Sequence, residues 1–299
     1  LEKIMHNKES MPVIIKKYPN QGLPPIEFNT FKLGEFPSRW SININQQTSN
    51  KWNGFFDYLG DESLSQDHAH QDIMYYPGMN STAPYRNYGG PLTRYVVKNY
   101  APIPLNQEIS FIGSVTDKYV KRGSGFVTFQ LASYSDNNVL LQKHWRTFML
   151  PSTQSDREHY AENNEKNTLI EDENILEKLE QMKLICDQNR FNDIEGPGES
   201  TAHTNLNLAK ARGMPNTTAQ ACISIAIINR YLTKQFGKKF LTNGFYDIKL
   251  IKPTFAGETM HCNGVLLKNS DQESLCKLTI ETDDKRLVTI GYGGIEQRD

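Results

Sequence analysis

Residues 218–236, TAQACISIAIINRYLTKQF, constrain the fold more than any other stretch of this chain. Ala219, Ala221, Cys222, Ile223, Ile225, Ala226, Ile227, Ile228, Tyr231, Leu232 and Phe236 place apolar side chains on nearly every face of a helix. Such a helix has no face to offer water, so the rest of the protein must enclose it. Pro215 lies just upstream, Thr217 precedes Gln220 at the spacing of a capping box, and Gly237 supplies a stop. One long buried helix is predicted, and the fold must be able to wrap it.

The wrapping comes from strands. The C-terminal half contains FYDIKLIKPTF, ETMHCNGVLL, SLCKLTIET and RLVTIGYGG, and the N-terminal half TRYVVKNYAPI, EISFIGSVTDKYV, GFVTFQLASYS and VLLQKHWRTFML. β-branched and aromatic residues dominate these runs, with Gly, Asn and Asp between them, so each half reads as an antiparallel meander. The halves also resemble each other. Setting Pro102 on Pro253 lays VKNYAPIPLNQEISFIGSV over KLIKPTFAGETMHCNGVLL and brings Gly113 onto Gly264. This shared punctuation predicts a duplication.

The chain divides into an irregular lead-in at 1–35, an N-terminal domain at 36–150, a polar linker at 151–180 and a C-terminal domain at 181–299. In the N-terminal domain, Trp52, Phe55, Phe56 and Leu59 recur at helical spacing, which predicts a helix over 47–60. MYYPGMNSTAPYRNYGG is too broken by Pro and Gly for a long helix, so a void or tunnel beside the first sheet is expected. Tyr75, Tyr76, Tyr85 and Tyr88 read as core or tunnel wall.

The 14 Phe, 14 Tyr and 3 Trp suffice for a large core. A net charge of −1 with interspersed signs argues against a nucleic-acid binder or a polybasic membrane surface. No apolar run reaches the roughly 18 residues of a membrane span. Cys186, Cys222, Cys262 and Cys276 show no metal spacing and read as reduced thiols of a cytoplasmic protein. DHAHQD at 67–72 places His68 and His70 two apart, as a metal site would use, but no other cluster supports it; a polar loop is expected and no metal. No nucleotide fingerprint, P-loop or Gly-x-Ser-x-Gly appears, so no cofactor is expected.

AHTNLNLAKARGMPNTTAQACIS resembles a segment of the MaoC-like hydratase/dehydratase family: His-Thr, a spaced Ala, Gly-hydrophobic-Pro, then a small-residue turn into a helix. His203, Thr204, Ala209, Gly213, Met214, Pro215, Gln220 and Ala221 carry the match, and KLIKPTFAGETM is similar to the family's next strand. The resemblance covers about residues 185–295, and the N-terminal half is similar to a degenerate first domain. It implies an α+β double hot-dog: two fused antiparallel sheets, with the long central helix in the C-terminal half only. As a pseudo-dimer the chain would be self-sufficient as a monomer or form a homodimer.

The resemblance further implies hydration or dehydration of a 2-enoyl/3-hydroxyacyl thioester of CoA or an acyl carrier protein. Such chemistry needs a base, an acid and an N–H that holds the thioester oxygen. His203 takes the family's histidine position and the Ala221 N–H the oxyanion-donor position, with Gln220 and Gly213 beside it and Asn205 or Arg212 as phosphate contacts. The family's aspartate position, five before the histidine, holds Gly198, which carries no proton-transfer group. Three arrangements stand open. Glu199 swings in; or Asp61 of GDESLSQ serves from the other half; or His203 acts alone at a site that no longer hydrates. The bland reading of His203 is a turn histidine that holds backbone. Against hydration stand a redirected lyase or cyclase of secondary metabolism, and a non-catalytic acyl-thioester binder or structural subunit. A thioesterase is disfavoured, because 219–232 holds no Asp or Glu.

Overall fold

The computed structural model describes residues 27–34, 39–59, 68–82, 90–160, 175–196, 200–270 and 273–297. In chain order these form β1 (Arg39–Asn43), α1 (Gln46–Gly54), β2 (His68–Ala69), β3 (Leu92–Asn99), β4 (Ile103–Pro104), β5 (Glu108–Lys121), β6 (Ser124–Ser135), β7 (Leu140–Leu150) and α2 (Gln154–His159). Then come β8 (Glu177–Lys178), β9 (Met182–Ile185), α3 (Gln188–Glu195), α4 (Leu206–Ala211), α5 (Ala221–Phe236), α6 (Lys238–Asn243), β10 (Gly244–Leu250), β11 (Thr259–Asn269), β12 (Glu273–Glu281) and β13 (Leu287–Glu296). Short 3₁₀ turns occupy Phe28–Thr30, Gln71–Tyr75 and Pro77–Thr82.

The strands build one 11-stranded sheet in the order β1-β5-β6-β7-β3-β10-β13-β12-β11-β8, with β9 also paired to β11. Its two halves are mirror readings of one order, and they meet where β3 pairs antiparallel with β10 and Val96 faces Asp247. The offset that sets Pro102 on Pro253 also sets Val96 on Asp247, and Glu108, the first residue of β5, on Thr259, the first of β11. The meeting point therefore lies on a pseudo-twofold axis, as a duplication requires.

Alternating sequence explains the strands. In β12, Ser274, Cys276, Leu278 and Ile280 turn inward while the residues between them stay partly solvated. α5 lies against this sheet with Cys222 through Thr233 buried. Its four isoleucines are up to about 0.7 kcal/mol poorer helix formers than alanine. Burying each stabilises by about 1.5–3 kcal/mol, so packing decides the conformation.

The helix begins later than the sequence predicts. Gln220 is its N-cap, and the Thr217 hydroxyl donates to Gln188 Oε1 at 2.5 Å instead of capping. Thr218 bridges Phe255 and the Ala219 N–H donates to the Thr254 carbonyl, so residues 217–219 run extended beside the following loop. That pairing keeps them out of the helix.

The N-terminal half has no counterpart of α5 among the described residues, and its space is filled. Trp52, Phe56, Met74, Tyr75 and Tyr76 are buried there, with Tyr75 edge-on to Tyr95 of β3 at 5.7 Å. An aromatic cluster stands where a void was expected; Tyr85 and Tyr88 lie outside the described residues. The predicted helix over 47–60 is shorter, ending at Gly54, because Asp57 and Tyr58 turn left-handed at φ 53° and 54°. Phe28 and Phe31, in the expected irregular lead-in, are core residues, and β8 in the expected linker joins the sheet.

In DHAHQD, whose Asp67 lies outside the described residues, His70, Gln71 and Asp72 are buried rather than in a solvated loop. Asp72 lies buried 3.4 Å from the buried guanidinium of Arg230 on α5 and accepts from Trp52 Nε1 at 2.8 Å. Asn53 Oδ1 and the Leu59 carbonyl also accept from this guanidinium. Among the described residues no group of three His, Cys, Asp or Glu is placed to hold a metal ion. His70, buried beside Arg230, has its pKa lowered to about 4, first by burial and then by that guanidinium.

Candidate active site

The site forms where three segments meet: the turn that carries His203, helix α3, and the start of α5. Thr201–Thr204 make a tight turn, with the Thr201 hydroxyl accepting from the His203 N–H at 3.1 Å. His203 Nδ1 lies 2.7 Å from the Thr218 carbonyl oxygen. A carbonyl only accepts, so Nδ1 carries the proton, and Nε2 is the basic nitrogen of the neutral ring. The histidine thus holds backbone and in doing so has its tautomer fixed.

Ala221 is the first residue of α5, three positions after Thr218. Its N–H has no acceptor within the helix, and the aligned peptide dipoles of 16 residues place positive potential there. The residue is only half-buried.

Helix α3 frames both groups. Gln188 donates to the His203 carbonyl at 2.9 Å and accepts from Thr217. The Phe191 carbonyl accepts from Gln220 Nε2 at 2.9 Å, and Glu195 Oε2 lies 3.5 Å from the same nitrogen. The i, i+3, i+7 spacing puts these three residues on one helix face. Glu195 is 6% exposed. Across the start of α5, Cys222 Sγ lies 3.7 Å from the Tyr76 hydroxyl. Burial pushes the Cys222 thiol and the Tyr76 phenol up, so both stay protonated and neither serves as an anionic nucleophile near neutral pH.

The structure brings His203, Ala221 and Gln220 together. The Gln220 amide ties the start of α5 to α3. Gly213 closes the turn after α4 at φ 77°, a left-handed conformation suited to glycine. Asn205 is the N-cap of α4: its Oδ1 accepts from the Asn207 and Leu208 N–H groups, and its Nδ2 donates to Ser200 Oγ at 3.0 Å. Arg212 is exposed at the far end of α4. Glu199, Gly198 and Asp61 lie outside the described residues.

No protein-family model matches the chain, and no curated protein sequence matches it. Solved structures do. A MaoC-like dehydratase superposes with a TM-score of 0.71 at 10% identity, over 91% of this chain and all of its own. A MaoC-like dehydratase from Phytophthora capsici gives 0.68 at 13% identity, over 89% of this chain and 97% of its own. A Mycobacterium tuberculosis protein with a double hotdog fold gives 0.59 at 9% identity, over 91% and 98%. The chain has a double hot-dog fold.

Within the hot-dog frame, the site sits at the N-terminal end of the central helix of the second unit. The sequence reading missed Gln188 and Glu195. Their helical spacing with Phe191 was visible, but nothing local says that α3 lies along residues 217–221.

Proposed function

We propose that this double hot-dog protein hydrates a 2-enoyl thioester, or dehydrates the corresponding 3-hydroxyacyl thioester. One observation carries the reading: an imidazole whose tautomer is fixed by the Thr218 carbonyl, next to the N-terminal end of a 16-residue buried helix. The thioester carbonyl accepts from the Ala221 N–H, where charge builds as the enolate forms. His203 Nε2 takes the proton from water as the oxygen attacks C3. The names of the similar solved structures, MaoC-like dehydratases among them, agree with this chemistry.

The test is hydration of crotonyl-CoA and of a longer 2-enoyl-CoA, followed by loss of the conjugated thioester absorbance, with wild type and His203→Ala side by side. Turnover that the substitution abolishes supports the reading. Absence of turnover with both esters and with carrier-protein thioesters, from folded protein, overturns it in favour of a binding protein.

A further inference from the structure

Hydration moves two protons, and His203 with the Ala221 N–H accounts for one of them. We propose that Glu195 is the second proton-transfer group of this site; the proposal rests on the hydration reading. It is a different residue from both carboxylates expected from the sequence, and it stands three positions upstream of the family's aspartate position at Gly198.

Placement is the argument. Glu195 is buried, and its carboxylate lies beside the side chain of Gln220, the residue before the oxyanion donor. Gln220 Nε2 lies 3.5 Å from Oε2, and the charge of Glu195 also acts on Cys222, Tyr75 and Tyr76. Glu195 thus meets the side chain of the residue that precedes Ala221 at the start of α5. It also belongs to the helix that orients the histidine. Gln188, two turns earlier on the same face of α3, holds the His203 carbonyl. Seven residues of helix span about 10 Å. His203 and Glu195 therefore flank the first turn of α5 from opposite ends of one rigid element.

The step balances as follows. The water oxygen bonds to C3 while His203 Nε2 takes one water proton, and the C2=C3 electron pair moves onto the thioester oxygen at the Ala221 N–H. The Glu195 carboxyl then gives its proton to C2 as the carbonyl reforms. Proton transfer from the imidazolium to the carboxylate through water resets the site. Nothing is oxidised or reduced.

Glu195→Gln keeps the shape and the contact with Gln220 while removing the transferable proton. The expected result is a kcat for 2-enoyl-CoA hydration lowered about 10²–10⁴-fold, with KM nearly unchanged. One limb of the pH–kcat profile should be lost, and the circular dichroism melt should stay near that of wild type. Glu195→Asp should restore part of the rate with the limb shifted. If Glu195→Gln does not fold, the aspartate variant decides alone: a wild-type rate and pH profile overturn the proposal. Glu195→Gln turning over within a few-fold of wild type also overturns it, as does a loss found instead in Glu199→Gln. Absence of hydration by the wild type is a different outcome: it removes the functional reading, and this proposal with it.

Discussion

Arg146 and Gly293 occupy equivalent positions in the two halves. Val96 pairs with Trp145 of β7, its pseudo-twofold mate Asp247 pairs with Tyr292 of β13, and the two residues are the next in each strand. Gly293 faces α5: a Cβ there would lie 2.7 Å from Leu232 Cδ1 and 2.9 Å from Tyr246 Cβ. Arg146 is buried, donates to the Tyr75 carbonyl at 2.6 Å and stacks 4.4 Å over the Tyr75 ring. With it on the inner face stand His144 and Gln142, whose mates are Gly291 and Thr289. In one half the glycine at 293 admits the central helix. In the other, long polar side chains fill its place and bond to the turns that replaced it.

Gly293→Ala is therefore a packing test. The methyl would press on Leu232 of α5 and on Tyr246 of β10, and overpacking of this kind costs about 1–3 kcal/mol. A lowered thermal midpoint is expected, with hydration also impaired if α5 moves. An unchanged midpoint would show that the helix is less tightly seated than these distances imply.

Ala221→Pro isolates the oxyanion donor. Proline is tolerated at the first helical position, and Gln220 already has φ −66° and ψ 146°, the conformation that a residue before proline adopts. Only the N–H is lost. The hydration kcat should fall about 10²–10³-fold at unchanged stability. A wild-type rate would remove Ala221 from the mechanism.

Asp72→Ala should destabilise the fold by about 3–5 kcal/mol, because it leaves the Arg230 guanidinium buried without its counter-charge. Urea titration measures this directly. The double variant with Arg230→Met should recover a good part of the loss.

The stability of the protein should fall between pH 6.5 and about 4. His70 is held neutral in the folded state, with its pKa lowered to about 4, whereas the unfolded chain binds that proton near 6.5. Its contribution is thus fully present above pH 6.5 and is lost as pH falls through the folded value, about 3 kcal/mol in all. His144, also lowered by burial, acts in the same direction. Replacing His70 with Gln should flatten the dependence of unfolding free energy on pH in this window; an unchanged slope would count against a neutral buried His70.

By itself the sequence determined the elements. The all-round apolar pattern at 218–236 required an enclosed helix, strand alternation required a sheet with one inner face, and the Pro102/Pro253 repeat anticipated the pseudo-twofold. These are local periodicities, and a period of two or 3.6 residues is written in the chain. His203 and Ala221 were legible for a similar reason, since the turn and the helix start lie in one short segment. Only the tertiary structure decided what long-range packing controls. It set the start of α5 at Ala221, because residues 217–219 pair with 254–256. It turned DHAHQD from a loop into the buried partner of Arg230. It brought Glu195 to the start of α5, because α3 happens to lie along that segment. A buried charge reveals its partner only when two distant stretches are folded together, and neither stretch records the other.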